Sequence, residues 1–205
     1  MQRLNALLRH LPVWLVWVAA CLPAIWLFWG ALGGGLGVDP VKAIEHSLGL
    51  SALQLLMASL CITPLRWIGL NLLRYRRALG VMAFAYASLH LLTWVVLDMG
   101  LRWGEMGDDL VKRPYIIIGM AGYLALIPLA LTSTDGAIRR LGRRWGRLHR
   151  LSYLAVVAGA LHFLILVKSW PPEPIIYAIL VALLLLSRVV KSGKMNINPR
   201  ERKKI

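Results

Sequence analysis

The chain has 205 residues, 59% of them hydrophobic and only 16% charged, with a formal net charge of +15. Soluble domains carry about 25% charged residues, so this composition excludes a disordered segment, a disulfide scaffold and an ordinary water-soluble enzyme. The positive charge is confined to gaps between apolar runs, which excludes nucleic acid as its partner and marks a membrane protein.

A hydrocarbon core about 30 Å thick takes about 20 apolar helical residues to cross. Six runs meet or approach that length: Leu11–Leu32, Ser47–Leu65, Ala78–Leu97, Tyr115–Thr132, Leu151–Val167 and Pro174–Val190. Backbone amides in lipid must be satisfied within their own segment, so each run predicts a helix. The expected fold is an all-α integral membrane bundle of six helices, a single domain over residues 1–205 with a basic tail at 191–205.

Arg3 and Arg9 ahead of the first run, with Val18-Ala19-Ala20-Cys21 inside it, resemble a leader with a processing site. The residues after Cys21 stay apolar, which predicts an uncleaved helix. Arg188 falls inside the sixth run and is expected to snorkel to the interface. Gly33-Gly34-Gly35 predicts a flexible turn, and the gaps at 33–46, 98–114 and 168–173 are too short for a folded domain. Cys21 and Cys61 lie too far apart for a CxxC pair or a cysteine metal site.

Of the 24 Lys and Arg residues, nineteen fall on one side of the membrane, in the N-terminal, second, fourth and C-terminal gaps. Seven of the nine acids fall on the other. Positive residues stay inside, so both termini are expected in the cytoplasm. Most of these arginines read as topology determinants and headgroup contacts. A second reading, strongest for the Arg-rich segment 137–150 with Trp145, is that some hold an anionic cofactor at the cytoplasmic face.

Ionisable groups within spans mark functional sites. His10 and His46 lie at helix ends near water, whereas His90 and His162 lie well inside uncharged runs. An imidazole there needs a partner, and a metal on one ring nitrogen with a backbone carbonyl on the other would supply it. The flanks match: Ala83-xxx-Ala87-xx-His90 and Ala155-xxx-Gly159-xx-His162 each keep three positions on one helical face. Small-xxx-small faces also pack helices together, but packing alone leaves the histidines unexplained. A flat macrocycle between the parallel third and fifth helices accounts for both features, with His90 and His162 as axial ligands of a haem. Tyr86 and Trp94 are placed to border it. His149, at the start of the fifth helix, could be a ligand, a propionate or flavin contact, or a headgroup contact.

Haem histidines on the third and fifth of six helices resemble the ferric reductase-like transmembrane family, which includes NADPH oxidases. Within it the chain is similar to the small haem-binding subunits of periplasmic methionine sulfoxide reductase systems. The stretches that carry this are Asp39-Pro40-Val41-Lys42 with His46, Ile62-Thr63-Pro64-Leu65, Arg76-Arg77-Ala78-Leu79-Gly80 and Arg113-Pro114-Tyr115. Thr132-Ser133-Thr134, Arg144-Trp145-xx-Leu148-His149 and Ile176-Tyr177-Ala178 complete them. The resemblance implies one or two b-type haems, FMN, and a multi-pass place in the bacterial inner membrane. It implies electrons from the quinone pool or a cytosolic flavin reductase, passed to a periplasmic molybdopterin enzyme that reduces methionine sulfoxide in proteins. His90, His149 and His162 occupy haem-associated positions. Where the wider family has a further histidine on the third helix, this chain has Arg76 or Arg77.

The chain shows no GxGxxG or P-loop and no residue that reads as a catalytic acid, base or nucleophile. The leading expectation is an electron conduit without a substrate-reducing site of its own. The alternatives are a quinol-oxidising b-type cytochrome serving another partner and a haem-free transporter using the histidines as relays; the spans lack the paired broken helices of the latter.

Overall fold

The computed structural model describes residues 5, 8, 10–167 and 171–197. Its six long apolar helices are Val13–Leu32, Pro40–Trp67, Leu73–Asp98, Pro114–Leu131, Arg143–Leu166 and Pro172–Lys191, numbered below as the first to sixth spans. No strand occurs among the described residues. All six expected helices are present, and the differences lie at their ends. The second span starts seven residues early because Pro40 occupies its first turn and the Asp39 carboxylate accepts from Lys42 N at 3.0 Å. Glu45 and His46 are thereby helical. The last helix runs on to Ile197, into the expected tail, and the rest of that tail lies outside the described residues. Two gaps hold short helices, Trp103–Lys112 and Asp135–Leu141, the second capped by Thr134 Oγ1 on Ala137 N.

The second and third spans form one antiparallel hairpin and the fourth and fifth another; the sixth lies against the fifth and second. The core between them is aliphatic, built around Leu53, Leu56, Leu60, Ala83, Leu126 and Val156. The first span packs on the second and third and buries only Ala20 and Leu27 of its own residues. Pro23 has no amide hydrogen and disturbs that helix. The Tyr86 hydroxyl enters the gap, donating to Ala20 O at 2.7 Å and accepting from Ala24 N at 3.0 Å. Tyr86 thus braces the first span instead of bordering the haem position.

One further expectation changes in the folded chain. Arg188 does not snorkel toward the interface. Its guanidinium reaches inward to Leu60 O and, at 2.5 Å, to the Tyr153 hydroxyl. The fifth expected helix is found at Leu151–Leu166, and a short helix, Arg143–Leu148, precedes it and ends at His149.

Candidate functional site

His90 and His162 come from different hairpins yet meet, with ring centroids 6.1 Å apart and planes at 80°. Each ring is held in the same way. His90 Nδ1 lies 2.8 Å from Glu45 O on the second span, and His162 Nδ1 lies 2.7 Å from Tyr115 O on the fourth. A carbonyl only accepts, so each Nδ1 carries the proton and each Nε2 keeps its lone pair. Four residues beyond each carbonyl stands a glycine, Gly49 and Gly119. A Cβ at Gly49 would lie 3.1 Å from His90 Nδ1, and one at Gly119 only 2.7 Å from His162 Nδ1. The glycines clear the path from ring to carbonyl.

The rings border a cavity of about 530 Å³, within the range of about 300–1,000 Å³ usual for cofactor sites. Leu53, Leu56, Ala87, Leu126, Ala155 and Gly159 line its depth, and Lys42, Glu45, Asp98 and Arg113 its mouth. Three of the four expected small residues therefore face it; Ala83 is fully buried in the helix core. Trp94 lines it from the π-helical turn Trp94–Asp98, one turn after His90. At the mouth, Lys42 Nζ contacts Glu45 at 3.0 Å and Asp98 at 2.9 Å. Arg113 Nε contacts Asp109 at 3.3 Å. The Tyr115 hydroxyl first, then Asp109 and Asp98, push the Arg113 guanidinium above its ordinary value, so it stays charged.

Two first-row metal–imidazole bonds of about 2 Å, with the ring radii added, separate two centroids by about 6 Å. The observed spacing fits one metal between both rings. Among the described residues no group of three or more His, Cys, Asp or Glu could hold a metal. Two imidazoles beside an apolar slot suit a metal whose other ligands come from a planar macrocycle, as in bis-histidine haem sites.

His149 is not part of this pair. It follows the short helix Arg143–Leu148, stacks on Trp145 with centroids 3.8 Å apart, and lies 3.2 Å from Thr132 Oγ1 through Nε2. His46 lines the cavity at its exposed edge, 3.7 Å from Glu173 and beside Phe163. Gly49, Gly119 and the carbonyls of Glu45 and Tyr115 escaped the sequence reading. The glycine-to-histidine register across each hairpin carries them, and spacing along one helix does not reveal it.

The ferric reductase like transmembrane component family matches residues 46–160. The chain is 50% identical over 191 residues to the protein-methionine-sulfoxide reductase heme-binding subunit MsrQ of Brucella anthropi, covering 93% of this chain and 87% of that one. It is 52% identical to the MsrQ proteins of Brucella ovis and Brucella canis, covering 92% of this chain and 88% of each. No solved structure matches it. With half its residues shared along nearly its whole length, and with the six-span bundle in place, the chain belongs to the MsrQ family of ferric reductase-like membrane proteins.

Proposed function

We propose that this chain binds haem b between His90 and His162 and carries electrons outward across the bacterial inner membrane. The observation that supports this best is the matched pair of imidazoles, 6.1 Å apart, each tied through Nδ1 to a backbone carbonyl. The relatives' name, heme-binding subunit of a protein-methionine-sulfoxide reductase, supports the same reading. When bound, haem supplies one-electron redox chemistry, with its potential set by ligands, burial and hydrogen bonding. The carbonyls of Glu45 and Tyr115 hold each ring in one tautomer and one orientation and raise its basicity. The leucines of the slot exclude water, and Lys42 and Arg113 at the mouth suit the carboxylates of a haem.

The Lys and Arg distribution supports a topology with both termini in the cytoplasm and the cavity mouth near the periplasm. The acceptor in this reading is the periplasmic molybdopterin reductase MsrP, which repairs methionine sulfoxide in proteins. The donor is the quinone pool or a cytosolic flavin reductase, with FMN as the intermediate flavin. The whole chain serves as one domain, and His149 serves the cytoplasmic end.

The test is a dithionite-reduced minus oxidised visible spectrum of the purified, haem-supplied protein beside His90→Ala and His162→Ala. A b-type signal lost in both variants supports the site. Well-folded wild type without a haem signal refutes it.

A further inference from the structure

At the Arg-rich end of the bundle two arginines lie close together with no acid paired to either among the described residues. Arg188 on the sixth span donates to Leu60 O on the second and to the Tyr153 hydroxyl on the fifth, with its guanidinium over the Tyr153 ring at 5.1 Å. Its Nε is buried and bonded to nothing among the described residues. The Arg76 guanidinium, half-buried at the start of the third span, makes no hydrogen bond among the described residues, and the Arg76 carbonyl accepts from Ser59 Oγ at 3.4 Å, one residue before the Leu60 whose carbonyl holds Arg188. The described acid at this end, Asp135, is paired with Arg77. Among the described residues these two partly desolvated cations have no counter-charge, a costly arrangement, since buried charges in proteins are normally paired.

We infer that Arg76 and Arg188 form a binding site for a phosphate-bearing anion between the third, fifth and sixth spans. A guanidinium is a planar fork of five donors that matches phosphate oxygens two at a time. Arg188 is pre-set, because Tyr153 and Leu60 O already fix its plane and leave donors over. Arg76, whose guanidinium has no hydrogen bond to give up among the described residues, closes on the anion from the other side. Basic pockets between membrane helices at this level accept phospholipid headgroups, and a soluble phosphate monoester offers the same chemistry. The site is separate from the His90–His162 cavity and does not depend on the haem reading.

The experiment compares the full-length protein in detergent with Arg76→Gln, Arg188→Gln and the exposed neighbour Arg140→Gln. FMN binding is followed by flavin fluorescence, with riboflavin as the phosphate-free control, and retained phospholipid by native mass spectrometry. Thermal melting reports the fold. The expected result is at least about a tenfold loss of one ligand in the Arg76 and Arg188 variants, with Arg140→Gln unchanged. Loss confined to FMN, with riboflavin indifferent, identifies a soluble phosphate ester; loss of phospholipid with FMN unaltered identifies a headgroup. Arg188 ties three spans together, so Arg76→Gln, which removes no protein hydrogen bond, decides the matter should Arg188→Gln unfold. Unchanged binding of both ligands in Arg76→Gln overturns the site. So does a wild-type melting temperature that neither FMN nor anionic phospholipid raises.

Discussion

Gly119→Ala tests how tightly the ring of His162 is held. The added methyl would lie 2.7 Å from Nδ1 and 3.0 Å from Cε1, whereas ordinary carbon contacts begin at 3.4 Å. The ring must retreat by about 0.7 Å, which stretches the 2.7 Å bond to Tyr115 O toward 3.4 Å, outside the usual hydrogen-bond range of about 2.7–3.2 Å. Losing that bond costs about 1 kcal/mol and overpacking a tight helix contact about 1–3 kcal/mol. Together these weaken haem binding by roughly 30- to 1,000-fold at about 1.4 kcal/mol per decade. Gly49→Ala, with its closest contacts at 3.1 Å, needs less than half that movement and should cost less. Gly159→Ala meets only Leu53 Cδ1 at 3.5 Å and should be neutral. The assay is haem per protein from the pyridine haemochrome, with the low-spin Soret band and reduction potential of whatever haem remains. If Gly119→Ala holds haem as well as Gly159→Ala, the carbonyl-tethered geometry is wrong.

Three further outcomes follow from the same structure. Tyr86→Phe removes the hydroxyl that bridges Ala20 O and Ala24 N beside Pro23, and should lower stability by about 1–3 kcal/mol in a thermal melt while leaving the haem spectrum unchanged. An unaltered melting temperature would show that the bridge adds nothing. Gly159→Leu should abolish haem uptake by filling a cavity wall that Gly159→Ala leaves open, and full haem content in the leucine variant would place the macrocycle elsewhere. His46→Ala should keep the haem, since that ring stands at the exposed edge near Glu173 rather than in the tethered pair; loss of the low-spin spectrum would make His46 a ligand.

The bundle was legible in the chain because lipid leaves the backbone few choices. Each apolar run must satisfy its own amides, so run length and the absence of charge determine six helices. His90 and His162 were legible for a related reason: an imidazole in such a run needs a partner, and matching small-residue flanks marked the two as a pair. Helix ends were harder to read. Asp39 and Pro40 cap the second span from beyond its apolar run, and Gly142 and the turn at His149 break the segment before Leu151. The inward reach of Arg188, the Tyr86 brace and the Gly49 and Gly119 clearances depend on which residues face one another across a hairpin. That register is set by packing between helices, and no periodicity within one helix encodes it. Sequence therefore determined the span count and the two histidines. Only the tertiary structure decided what holds each ring and which cations stand together with no acid among the described residues.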